Sequence, residues 1–264
     1  MKDSPDSQWA NPPECPEARR DEIHVWRASL EDSASWAQSL GHLLSADERE
    51  RAHRFLFERD RPNFISSRAF LRLLTGRYLH MEPSRLEFGY SSKGKPFVVG
   101  ARDVDLRFNL SHSHGMALYA FTCGREVGID LEHISETIET DDIAGHFFSP
   151  TEVGALRALP RELQRWGFFA CWTRKEAYIK ALGDGLSVPL ASFSVSLIPG
   201  ESTVLLDVET DPEESSCWSL TELCPDSSYA AALAVEGWNW RLRCWELTAD
   251  AAHAFTQLSG VGSS

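Results

Sequence analysis

Apolar positions along the chain switch between a two-residue and a helical period. Ile23–Ala28 (IHVWRA) alternates as a strand does. Helical spacing follows near 32–41 and 45–57, the second opening with Ser45 and Glu48 at the separation of a capping box. Phe64, Ala69, Phe70, Leu73 and Leu74 predict a helix over about 61–79, with Pro62 in its first turn. Short runs at 86–90, 96–99, 105–109, 116–122 and 126–131 predict strands. Beyond a polar stretch after Glu132, Ser149-Pro150-Thr151-Glu152 marks a helix start. Pro160 then separates that helix from a longer one over about 162–182, ended by Gly183-Asp184-Gly185. Strands fit 192–198, 203–208, 217–223, 228–235 and 241–247. The order strand, helices, strands thus occurs twice without any sequence repeat. It predicts an α+β fold of two similar α/β lobes with a cleft between them. The expected boundaries are a flexible tail at 1–20, which holds four prolines, lobes at 21–124 and 125–248, and a loose tail at 249–264.

Composition narrows the function classes. The 264 residues carry a formal charge of −13, which argues against a general binder of nucleic acid or acidic membrane. No run approaches the length of a membrane helix, and the N-terminus has no apolar signal core. Six cysteines form no CxxC pair and no zinc spacing, so reduced thiols and a cytoplasmic location are expected. One segment opposes the overall charge. Between Arg49 and Arg77, eight arginines face three acids, a net +5 that leaves −18 for the remainder. That strip is either a solvated helix face or a basic track for a polyanion.

Four motifs carry candidate chemistry. Gly89-Tyr-Ser-Ser-Lys-Gly94-Lys95 matches the start of a phosphate-binding P-loop, but Pro96 replaces the required Ser or Thr and strand residues follow. A basic turn at Lys93, Gly94 and Lys95 able to touch a phosphate remains. Phe108-Asn109-Leu110-Ser111-His112-Ser113-His114 offers either strand-end hydrogen bonding or anion binding by hydroxyl, imidazole and N–H groups. In Val127–Glu132 the two-residue period puts Asp130 and Glu132 on one face, with Ile129 and Leu131 opposite. Such a pair either meets water at a strand end or shares a cation. Phe169, Trp172, Glu176, Ile179 and Gly183 follow the spacing of one buried helical stripe, so Glu176 interrupts an apolar face. Lys180 lies one turn on. Asp130, Glu132 and Glu176 together make an all-oxygen donor set suited to Mg2+, which points to metal-assisted chemistry on a phosphate ester or anhydride.

The ordered set Lys93-Gly-Lys95-Pro96, Phe108-Asn109-Leu-Ser111-His112, Gly128-Ile-Asp130-Leu-Glu132, Trp172-Thr-Arg-Lys175-Glu176-Ala-Tyr-Ile-Lys180 and Gly183-Asp-Gly185-Leu186 resembles the Sfp-type 4′-phosphopantetheinyl transferases. The resemblance spans roughly residues 22–235. It implies a pseudo-twofold monomer that moves the phosphopantetheine arm of coenzyme A to a serine of an apo carrier protein and releases 3′,5′-ADP. Asp130, Glu132 and Glu176 would then hold Mg2+, or Mn2+ in its place, against the CoA pyrophosphate. Lys180 would steady the developing charge, and Glu176 or a water beside it would take the serine proton. Lys93, Lys95, Pro96, Ser111 and His112 would contact the nucleotide end, assisted by Arg51 and Arg68. The charge pattern adds that some of Arg54, Arg59, Arg61, Arg72 and Arg77 remain outside, for the carrier or for solvent. In one departure, a family position that is often basic holds Glu48, leaving the 3′-phosphate grip of its helix to Arg51. The competing readings are a metal-dependent hydrolase of CoA or a nucleotide diphosphate, and a non-catalytic CoA- or carrier-binding module.

Overall fold

A computed structural model describes residues 9–57, 60–92, 94–100, 104–183 and 188–257. Lys93, Arg59 and the 184–187 segment singled out above lie outside the described residues.

The N-terminal lobe runs β1 (Glu22–Ser29), α1 (Ser33–Leu40), α2 (Ala46–His53), α3 (Asp60–Leu79), β2 (Phe88–Tyr90), β3 (Pro96–Val98), β4 (Leu106–Ser113) and β5 (Met116–Cys123). The second lobe runs β6 (Val127–His133), α4 (Thr140–Phe147), α5 (Pro150–Ala158), α6 (Arg161–Leu182), β7 (Phe193–Val195), β8 (Leu205–Val208), α7 (Glu214–Cys217), β9 (Trp218–Leu223) and β10 (Tyr229–Glu236). Each lobe's first strand pairs antiparallel with its last, which pairs with the one before: β1-β5-β4 and β6-β10-β9. Each also inserts one long helix and one two-stranded hairpin, β2-β3 or β7-β8. The expected twofold repetition is present in topology.

A finer repetition escapes sequence comparison. Both short helices α2 and α5 open with a capping box, Ser45/Glu48 and Ser149/Glu152. Each box glutamate is buried and pairs with cations of the lobe's long helix, Glu48 with Arg68 and Arg72, Glu152 with Lys175. One residue type therefore caps a short helix and docks it on the long one.

The two sheets pack face to face. Ile23, Val25, Leu118 and Ala120 of one meet Val127, Ile129, Leu131 and Leu233 of the other in a shared core. Trp26, Phe108 and Tyr119 face α3, while Ala232 and Ala234 face α6. Burial of this apolar surface, at roughly 25 cal/mol per Å2, makes the lobe junction part of the fold rather than a hinge.

The structure corrects three sequence expectations. The chain does not leave the second lobe for a loose tail: β11 (Arg241–Glu246) returns to pair parallel with β1, and α8 (Ala249–Gln257) follows. Ala252 and Phe255, one turn apart, are buried against the N-terminal lobe, and Thr248 accepts the first N–H groups of the helix. The expected flexible tail is seated from Trp9 onward. Ala10 bridges β11, and the Trp9 indole donates to the Cys224 carbonyl at 3.0 Å. Finally, β4 extends four residues past the expected end, to Ser113, because its ladder with β5 continues to the pair Ser113–Met116 while its polar side chains find partners across the lobe junction.

Candidate functional site

β4 and β6 are edge strands of different sheets and share no backbone ladder. Alternate side chains of β4 join them instead. Asn109 Oδ1 accepts the Ile129 N–H at 2.9 Å, and Ser111 Oγ donates to Asp130 Oδ1 at 2.9 Å. Ser113 Oγ accepts the His133 N–H and donates to Glu132 Oε2, both at 3.1 Å. Phe108, on the opposite face, enters the N-lobe core. Asn109 and Ser113 received no role from the sequence. The signal was present, since Asn109, Ser111 and Ser113 keep the strand period, but a polar strand-end reads the same way.

On the far side of β6, helix α6 lies at unusually close range. A Cβ on Gly128 would stand 2.0 Å from the Ala177 carbonyl oxygen and 2.3 Å from the Ala181 nitrogen. Only glycine permits that approach. It brings Glu176 and Lys180, each the residue before one of these contacts, over the carboxylates of β6. Asp130, Glu132, Glu176, Lys180, Ser111 and His112 consequently line one open cleft of about 450 Å3, with Trp172 at its side. Six of the sequence-selected residues are brought together.

The electrostatics of the cleft are those of a crowded acidic site with one cation. Lys180 Nζ is 2.5 Å from Asp130 Oδ1 and 3.0 Å from Ser111 Oγ. Asp130 is 3% exposed, and its second oxygen, Oδ2, is buried without a hydrogen-bond partner. Burial raises the pKa of Glu132, and the Asp130 charge, with Glu176 behind it, raises it further. Burial and Asp130 likewise raise Glu176, against the pull of Lys180. His112 is exposed at the rim, yet desolvation by the cleft walls and the Lys180 charge lower its pKa. Among the described residues, no three His, Cys, Asp or Glu side chains already converge as a metal cage. The donor set nevertheless fits a hard dication. It is all oxygen, it carries an orphaned buried carboxylate oxygen, and its two other carboxylates gain from added positive charge.

The remaining candidates lie elsewhere. Lys95 and Pro96 line a second hollow of about 340 Å3, beside Arg107, Glu126 and Gly183. Lys95 Nζ is tied to Glu126 Oε2 at 2.7 Å and to the Ala181 carbonyl at 2.8 Å, and burial lowers its pKa. The two hollows follow successive stretches of β4, 106–108 and 110–112. Arg51 is exposed on α2, its guanidinium over the Phe64 ring. Arg68 is 6% exposed, with Nε on Glu48 at 2.6 Å and Nη2 on the Tyr90 hydroxyl at 2.9 Å. Glu48 is thus no lost phosphate ligand but the counter-charge of two buried arginines. Two of the five arginines from which the outer set was expected do not face outward. Arg72 is 1% exposed, and Arg77 lies over Phe255 and donates to Ala254, holding α8.

Known proteins match this arrangement along its length. Residues 126–234 fit the model of the 4′-phosphopantetheinyl transferase superfamily, and 25–123 fit that of the 4′-phosphopantetheinyl transferase N-terminal region. The chain is 43% identical to the 4′-phosphopantetheinyl transferase HetI of Nostoc, over 85% of its own length and 92% of that protein. It is 31% identical to the 4′-phosphopantetheinyl transferase Sfp of Bacillus subtilis, over 72% of its length and 82% of that relative.

Proposed function

Given that the chain belongs to the 4′-phosphopantetheinyl transferase superfamily and transfers the phosphopantetheine arm of coenzyme A to a carrier protein, we propose that the cleft between its lobes performs the transfer with a bound Mg2+. Asp130, Glu132 and Glu176 would hold the ion, and Mn2+ would serve in its place. When bound, such an ion neutralises charge on the CoA pyrophosphate.

The protein's own side chains account for the rest. Glu176, half-buried and raised in pKa, accepts the proton of the incoming serine hydroxyl. The serine oxygen then bonds to the phosphorus that carries the pantetheine arm, and the P–O bond to 3′,5′-ADP breaks. Lys180 turns from Asp130 to the negative charge that develops on the leaving phosphate. CoA lies along β4, with Ser111, His112, Lys95 and Pro96 toward its nucleotide end. Arg51, exposed on α2, reaches the 3′-phosphate. The enzyme acts as a cytoplasmic monomer, a setting that keeps its six free cysteines reduced.

The observation that carries this reading is the Lys180–Asp130–Ser111 triple. It brings a partly exposed cation, a buried carboxylate and a hydroxyl from the other lobe to one point. The test is incubation with CoA, Mg2+ and an apo carrier, followed by weighing the carrier. A gain of one phosphopantetheine arm with release of 3′,5′-ADP is expected. CoA cleavage with an unchanged carrier would mean hydrolysis, and an intact pair would mean binding alone.

A further inference from the structure

The β2–β3 hairpin has three residues per strand and pairs with no other sheet, so its own ladder is too short to fix its position. Beside the Lys95 bonds to Glu126 and Ala181 at its turn, its placement comes from beneath. Arg68 and Arg72 of α3 stack their guanidiniums on the Phe88 ring, 4.7 and 5.3 Å from its centroid. Arg72 Nη1 donates to the carbonyls of Pro83 and Leu86, both at 2.9 Å, where the chain enters β2. Arg68 Nη2 holds the Tyr90 hydroxyl at the strand's other end. Both cations are fixed by Glu48, 2.6 Å from each and 2% exposed, and Glu48 also caps α2. Burial alone would raise the Glu48 pKa, but the two guanidiniums outweigh it and hold the carboxyl below its ordinary value. Stability and charge balance require Glu48, Arg72 and the Phe88 stack. Tyr90 is 41% exposed, so water could satisfy its hydroxyl, while the 6% exposed Arg68 finds in Tyr90 the partner of its Nη2.

That bond ties a buried cation to the end of the strand and so bears on where the strand end sits. One residue beyond Tyr90 begins the turn to Lys95 and Pro96, in which Lys95 N–H donates to Ser91 Oγ at 3.0 Å. We propose that Glu48, Arg68 and Tyr90 form a positioning relay that sets the pose of this hairpin, and through it the affinity for the nucleotide end of CoA, without touching the substrate. The proposal rests on the assignment of the Lys95–Pro96 turn to that nucleotide. Arg68 is thereby a positioning residue, in place of the direct contact that the sequence implied.

The test is direct calorimetric binding of 3′,5′-ADP to the full chain, beside kcat and melting temperature. Tyr90→Phe removes one hydrogen bond at a surface position. It should weaken 3′,5′-ADP by about three- to tenfold, the range of one such bond, with kcat at saturating CoA and Tm unchanged. In an Arg68→Gln background Tyr90→Phe should cost nothing further. Should Arg68→Gln not fold, Arg68→Lys keeps the charge beside Glu48 while giving up the fixed fork that reaches Tyr90. Unchanged 3′,5′-ADP affinity in Tyr90→Phe would overturn the relay. So would an equal loss in the Arg68-substituted background, since Tyr90 would then touch the nucleotide itself. A wild-type protein that transfers the arm but does not bind 3′,5′-ADP would overturn both the relay and the nucleotide assignment beneath it.

Discussion

Lys180 has two states open to it, and its neighbours define both. Bonded to Asp130 and Ser111, it serves as the internal counter-ion of a buried carboxylate. Its side chain is 29% exposed, against 4% for Asp130, so it can swing to a substrate phosphate while Asp130 stays in place. A group of this kind acts on the transition state more than on binding. Lys180→Ala should lower kcat by about a hundredfold or more while CoA affinity changes by less than about tenfold, measured by steady-state kinetics and direct titration. A variant with wild-type kcat would leave Lys180 as a salt-bridge partner only. Asp130, Glu132, Glu176 and Lys180 could be singled out in the sequence because two share one face of a strand by its period, one interrupts an apolar helical stripe and one lies a turn further on. Ser113 and Asn109 were not. Their role depends on a partner strand in the other lobe, and nothing in a local pattern names that partner.

Helix α6 shows how an element can be read correctly and still hide its main constraints. Its length, its apolar stripe and its glycine stop are all in the sequence, and the helix ends at Gly183 in the left-handed conformation with φ 71°. What local periodicity omits is the neighbour. Lys175, next to Glu176, is wholly buried and bonded to Glu152 at 2.7 Å and to the Phe193 carbonyl at 2.6 Å. It belongs to the docking of α5, not to the cleft. Gly128 is a comparable case, because its absent side chain sets the height of α6 over β6. Gly128→Ala should destabilise the fold by about 3 kcal/mol or more in chemical denaturation, through overlap with backbone that cannot rotate away. A loss under about 1 kcal/mol would mean that the helix has room to rise.

Strand β1 carries a pH-dependent counterpart. His24 is buried, bonded to Tyr78 Oη at 2.8 Å, and burial holds its pKa below 6.5 despite the nearby Glu22 carboxylate. The unfolded chain takes up this proton more readily. The stability His24 contributes is therefore complete above pH 6.5 and is lost as the pH falls below it. Thermal melts from pH 7.5 to 5.5 should show wild type losing more stability than His24→Gln, and parallel curves would contradict this.

At the scale of the molecule, the two lobes divide the labour. The second supplies the carboxylates and Lys180, and the first supplies Ser111, His112 and the β2–β3 hairpin, while a shared core fixes one against the other. This doubled plan was legible in the alternation of strand and helix signals. The return of β11 and α8 to the first lobe was not, since a final strand and an alanine-rich segment carry no mark of which sheet they will join. The charge pattern was also only half legible. Of the arginines between 49 and 77, three are drawn inward or onto α8 by Glu48 and Phe255, which leaves a smaller basic face than the sequence suggests. Across the lobe junction, the orphaned Asp130 oxygen and the raised Glu132 and Glu176 leave an excess of negative charge that Lys180 alone does not balance. The most direct test is transfer of the arm to an apo carrier, read by carrier mass, in EDTA and then across a Mg2+ titration, for wild type and Asp130→Ala. Transfer should vanish in EDTA, return with Mg2+ in the wild type, and stay lower by orders of magnitude in a folded Asp130→Ala at every Mg2+ concentration. Full transfer in EDTA, or by Asp130→Ala, would contradict a metal held by these carboxylates.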